Sequence, residues 1–203
     1  MNINLKQFLI FFFFGAVLSA SPLFSQQLDG GAFGAPVVKF SSIAGQNAIL
    51  AGGRFGWVID SSIVLGGGIY ALESRVKTNI VDPISGQDVL LGFNCGGIEL
   101  EYIFFPRNYI HASIDMFIAG AGTTYGVSNK SVPHSSYFSQ NLLLVEPQVN
   151  IEFNIVDWLH IDTGVSYRIC IPPGTDSFYD TGGIGLHDLQ GLSVLFTFKF
   201  GEF

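Results

Sequence analysis

The sequence predicts an all-β protein, an eight-stranded antiparallel up-and-down barrel that crosses a membrane with its strands. Three observations carry that prediction. Long stretches alternate apolar and polar residues with period two, the spacing that puts successive side chains on opposite faces of a strand. The links between these stretches are short and long by turns. And 48% of the 203 residues are hydrophobic while 12% are charged, roughly half the charged share of an ordinary soluble domain.

The chain opens on a processing signal. Lys6 gives a positive start, Phe8 to Leu18 an apolar run, and Ser19-Ala20-Ser21 a set of small residues, the pattern of a secretory signal peptide. The run is shorter than the roughly 20 residues a spanning helix needs. Cleavage is expected between 20 and 26, leaving 26–203 as one domain. No cysteine stands directly after the run, so no lipoprotein anchor is expected. Further along, no segment approaches the ~18 consecutive apolar residues of a membrane helix, so any crossing falls to strands.

Period-two reading gives strands over 31–43, 48–60, 63–73, 89–104, 110–124, 143–155, 160–170 and 189–200. The stretch from Val145 to Ile155 shows the pattern plainly: Val145, Pro147, Val149, Ile151, Phe153 and Ile155 share one face, and Glu146, Gln148, Asn150, Glu152 and Asn154 the other. Ile110, Ala112, Ile114, Met116 and Ile118 alternate with His111, Ser113 and Asp115, and Ile98, Leu100, Tyr102 and Phe104 with Glu99 and Glu101. Leu192, Val194, Phe196, Phe198 and Phe200 alternate with Ser193, Thr197 and Lys199. The apolar face of these strands carries no charge, as a lipid-facing wall requires. Phe203 is out of phase with the Phe196–Phe200 series, so a bend or bulge is expected at Gly201-Glu202.

Links at 60–62, 106–109 and 156–159 are short; those at 74–88, 125–142 and 171–188 are long and rich in Gly, Pro, Ser, Asp and Asn. An even-stranded transmembrane barrel sorts its connections in this way, with short turns and both termini on the periplasmic side and longer loops outside. The link 44–47 is the exception, short where a long loop is due. Aromatics gather near both strand ends, as interfacial girdles do: Trp57, Phe104, Phe105, Tyr109 and Trp158 at the short-turn end, Tyr70, Tyr125 and Tyr167 at the other.

The stretches "GWVIDSSIVLGGGIY", "VEPQVNIEFNIVDWLHIDTGVSYR" and the "FTFKFGEF" end resemble small outer-membrane β-barrels of the OmpX/OmpA-transmembrane-domain kind, closest to the uncharacterised barrels of Bacteroidetes-like Gram-negative bacteria. The likeness covers nearly the whole mature chain but concerns architecture. It implies an outer-membrane location, outer-membrane lipid around the wall and delivery by the barrel-assembly machinery. Such groups hold adhesins, small-solute channels and barrels of unknown role, with no catalytic motif to transfer.

The inward charges are expected to be Arg54, Glu99, Glu101, Asp115, Glu146, Glu152, Asp162, Arg168 and Lys199, with Lys39 beside them. An eight-stranded barrel is just wide enough for side chains to fill, so these groups are expected to pair in a luminal network; the alternative is a narrow path for small solutes or ions that favours cations, since acids outnumber bases. His111, Ser113 and Asp115 suggest a Ser-His-Asp set, but alternate residues on a strand stand nearly 7 Å apart, too far for nucleophile and base to bond, so no enzyme is expected. His134-Ser135-Ser136 reads as solvated loop. Gly66-Gly67-Gly68 lacks the Lys-Ser/Thr of a phosphate loop and continues as strand; like Gly52-Gly53 and Gly96-Gly97 it reads as a bend or close approach. Cys95 and Cys170 lie on non-neighbouring strands and are expected unbridged. No metal is expected at the four histidines, and Asp176, Asp180 and Asp188 lack an ordered calcium ligand set. The formal net charge of −7 argues against nucleic acid, whose phosphates need Lys/Arg. The expectation is a monomer without cofactor and with a structural or surface role: membrane integrity, adhesion or partner recognition through the long loops.

Overall fold

The computed structural model describes residues 30–83, 85–127, 136–172, 174 and 183–203. They form β1 (Ala32–Ile43), β2 (Gln46–Ile59), β3 (Ile63–Leu72), β4 (Val76–Val81), β5 (Asp88–Phe104), β6 (Ile110–Gly126), β7 (Ser136–Val156), β8 (Leu159–Ile171), the single-turn helix α1 (Leu186–Leu189) and β9 (Gly191–Gly201). Every pairing is antiparallel, the first and last strands meet (Phe40↔Val194), and β3 closes the ring on β5 (Leu65↔Leu100). The result is a closed eight-stranded barrel. No helix among the described residues is long and apolar enough to cross a membrane, a statement that leaves strands free to do so.

β4 is not a ninth wall strand. It continues the line of β3 after a break at 73–75 and pairs with the start of β5 (Val76↔Leu91, Lys77↔Leu90). Standing beyond the β3–β5 closure, its second edge would lie open. The Gln46 side chain covers it there, donating to Lys77 O at 2.8 Å and accepting from Lys77 N–H at 3.0 Å.

Turn chemistry sets the ends. Ala44 and Gly45 take φ of 52° and 69°, and Asp60 and Ser61 take 50° and 57°; both central residues of a type I′ hairpin turn need positive φ, because that twist matches the strands. The short link at 44–47 is thus a tight hairpin at the end where long loops gather.

Several expectations need correcting. Strand extends into all the long links: β4 lies within 74–88, β6 runs on to Gly126 and β7 begins at Ser136. At 186–189 the chain is helical, so the last strand begins at 191. Nor does the C-terminus bend. Gly201 N–H bonds Trp158 O at 3.1 Å and Glu202 N–H bonds Ala32 O at 3.1 Å, so the alternation continues and Phe203 shares the phase of Lys199, pointing inward.

Candidate functional site

The outward faces near the short turns are aliphatic and aromatic: Ile98, Leu100, Ile114, Met116, Ile151, Val165 and Phe198 are all well exposed. Trp57, Phe104, Tyr109 and Trp158 are exposed there too, and Tyr167 is exposed toward the long-loop end of β8. Tyr70 and Tyr125 are not, and this corrects their placement in the girdle: they are 4% and 1% exposed. Tyr70 is in phase with Val64 and Gly68, and Tyr125 with His111 and Thr123, so both point inward. Gly68 makes room for the Tyr70 ring, since an added Cβ would sit 2.9 Å from its hydroxyl.

The chemistry of this chain is concentrated in the lumen, which is built in tiers. Across the short-turn end lies an apolar plate of Phe33, Ala35, Val58, Val64 and Ile103, with Phe203 packed against it. Phe203 stacks on Phe33 with ring centroids 5.6 Å apart and on His160 at 3.6 Å.

Next comes a buried ion network. Arg54 reaches Glu99 (Nε–Oε2 2.7 Å), Glu101 (Nη2–Oε2 2.9 Å) and Asp115 (Nη1–Oδ2 3.0 Å). Lys199 Nζ contacts Glu152 at 2.6 Å, Asp162 at 3.0 Å and Glu101 at 3.2 Å. Oxygens of Glu101, Glu152 and Asp162 lie within 4.8 Å of one another, a grouping that could hold a cation, and the Lys199 ammonium touches all three. His160 Nδ1 and His111 Nε2 approach Glu152 Oε1 at 2.6 and 3.5 Å. Glu101 also accepts Ser113 Oγ–H at 2.6 Å.

Above this, Lys39 Nζ bonds Glu146 at 2.9 Å and sits 4.1 Å from the centre of the Tyr70 ring, while Ser166 Oγ–H donates to the same Glu146 oxygen at 2.5 Å. Tyr70 O–H donates to Glu99 at 2.8 Å, linking the two groups of charges. From here to the long-loop end the lumen turns apolar, with Leu50, Val76, Leu91, Phe93, Ala119, Ala121, Leu142 and Leu144 in one buried cluster closed by Ile184 and Leu189. Arg168 lies at the wall of this region, its Nε–H donating to Leu189 O at 2.6 Å.

All nine residues singled out as inward charges are buried, and eight of them stand in the contacts just given with carboxylates or ammonium-type partners; Arg168 bonds neutral acceptors instead. His111, Ser113 and Asp115 are not assembled as a catalytic set: His111 Nδ1 faces Asn108 O at 3.2 Å, Ser113 bonds Glu101 and Asp115 bonds Arg54. Cys95 and Cys170 are free and buried in the apolar cluster. His134, Ser135, Asp176 and Asp180 lie outside the described residues; Asp188 caps α1 by accepting Gly185 N–H at 2.8 Å. The apolar long-loop half was not foreseen. Its signal lies in Leu142, Leu144, Ala119 and Ala121, which share the phase of Glu146 and Asp115.

Neither a family model nor a curated protein matches the chain. Solved structures do. The crystal structure of Neisserial surface protein A is similar with a TM-score of 0.59 and 9% identity, covering 86% of this chain and 97% of that one. The N-terminal β-barrel domain of Pseudomonas aeruginosa OprF is similar at 0.52 and 10% identity, covering 87% and 99%. At such identity the likeness speaks for the fold: a closed eight-stranded antiparallel barrel of the outer-membrane type.

Proposed function

We propose that the chain is an integral outer-membrane barrel with a structural or surface role, carried by its long-loop end on the cell exterior, and that its lumen does not conduct. The single observation behind this is the filled lumen: an apolar plate with Phe203, a paired ion network and an apolar cluster follow one another along the axis. A water path needs polar groups left free along its whole length, and small barrels are filled by side chains. The outward belt supports the membrane half of the reading, because uncharged aliphatic positions with flanking aromatics fit lipid. On this reading the short turns face the periplasm, the barrel is delivered after removal of a signal within 1–25, and adhesion, partner recognition or envelope integrity is the work of the exterior end.

Conductance across planar bilayers tests the sealed lumen. The expected record is flat at protein loads that give clear channels for a general porin. Resolved, cation-favouring unitary steps would instead support the small-solute conduit. Membrane fractionation with unheated and boiled samples on a detergent gel tests the location: a band that tracks with the outer membrane and shifts on boiling is expected.

A further inference from the structure

The apolar half of the lumen is closed by a short piece of chain that cannot hold itself in place. α1 is one turn long, and an isolated turn of helix is unstable in water. Its docked position rests on Ile184 and Leu189, which insert into the cluster, and on hydrogen bonds from the barrel. Ala44 N–H donates to Asp188 O at 2.9 Å, and Arg168 Nε–H donates to Leu189 O at 2.6 Å.

Arg168 does more than touch the helix. Its Nη2 also reaches Ser41 Oγ at 3.3 Å and Ser42 O at 3.4 Å, and its guanidinium lies 5.5 Å from the centre of the Phe93 ring. One side chain therefore ties the end of α1 to β1 across the mouth. The residue is 1% exposed, yet these acceptors are all neutral, two carbonyls and a hydroxyl. A buried cation costs free energy unless it is hydrogen-bonded, and the carbonyls at a helix C-terminus carry partial negative charge that favours one. The arrangement is self-consistent in the docked state and loses its basis if α1 leaves.

We propose that Arg168 is a latch holding α1 as a plug over the apolar cluster that fills this end of the lumen, and that releasing it exposes the cluster, Cys170 included, while the barrel wall stays closed. The planar fork is what lets one group bond Leu189 O and the β1 acceptors together. The orientation of the mouth toward the exterior rests on the function proposed above; the latch does not.

The chain carries its own reporter. Cys170 Sγ lies 3.9 Å from Leu189 O, directly against the plug. The test uses the refolded protein in micelles with Cys95→Ala, so that Cys170 is the remaining thiol, and a charged, membrane-impermeant maleimide. With the latch intact Cys170 is expected to resist labelling. Arg168→Met, which keeps length and removes the donors, is expected to label at least ten-fold faster while the band shift on boiling is retained. Leu189→Ser, which loosens the plug without touching Arg168, is expected to do the same and covers the case in which Arg168→Met does not fold. Rapid labelling with the latch intact, continued protection in folded variants, or labelling that comes only with loss of the band shift would each overturn the proposal. Repeating the labelling on intact cells reads the orientation separately: fast labelling in micelles with none on cells keeps the latch and overturns the assignment of that end to the exterior.

Discussion

On β6, Ile114, Met116 and Ile118 point outward while Ser113 and Asp115 point inward; further along the same strand Gly122 and Thr124 point outward and Ala121 and Tyr125 inward. β7 makes the same exchange in the opposite chain direction. Ser139 and Asn141 are exposed and Leu142 and Leu144 buried at one end, whereas Val149 and Ile151 are exposed and Asn150 and Glu152 buried at the other. One strand thus serves two solvents. Near the short turns the wall has the polarity of a membrane protein, apolar outside and charged within. Toward the long loops β6 and β7 have the polarity of a soluble barrel, polar or small outside and apolar within, whereas β8 and β9 keep an apolar outer face as far as Ile171 and Leu192. On β6 and β7 the apolar outer belt therefore ends part-way along the strand, rather than at its end.

The buried ion network is where a single change is expected to cost most. Lys199→Met removes the ammonium shared by Glu101, Glu152 and Asp162 and leaves three buried carboxylates facing one another. Breaking a buried ion pair from one side costs about 3–5 kcal/mol, and the expected result is loss of the folded, heat-shifted band or a large drop in the urea midpoint. Leu144→Ala probes the other half. It opens a cavity in the apolar cluster and is expected to cost about 2–5 kcal/mol by the same unfolding measurement; a cost near zero would mean that the long-loop half has no packed core.

Two further variants place arginine on the outer wall at different heights. Ile151→Arg, in the aliphatic belt, is expected to destabilise by ~2–4 kcal/mol in bilayers if it lies near the midplane. Asn141→Arg, equally outward on the same strand but beyond the polarity exchange, is expected to cost under ~1 kcal/mol. Equal penalties at the two positions would remove the boundary drawn here.

The period-two pattern carried the barrel, its strand order and the inward placement of Glu99, Glu101, Glu152 and Lys199, because charged and aliphatic side chains separate cleanly onto opposite faces there. It failed where both faces are apolar or both are small. In Leu142-Leu143-Leu144-Val145 the inner and outer faces are alike, so alternation vanishes at the point where polarity changes over. Ala119-Gly120-Ala121-Gly122 hides the same change behind small residues. Tyr70 and Tyr125 stand near strand ends, as girdle residues do, but share the phase of the inward face, and phase decides where they point. In the candidate site, the pairing partners of the inward charges lie on different strands and follow from register, which alternation alone does not fix. α1 is too short to show any helical period.

The amide of Gln46 against Lys77 has a consequence beyond the barrel it sits in. An uncovered strand edge offers its backbone to any passing strand, that of a second copy of the chain included. Two hydrogen bonds from one glutamine remove that offer at Lys77. The upper rim of each molecule can then stand beside its neighbours without being stitched to them.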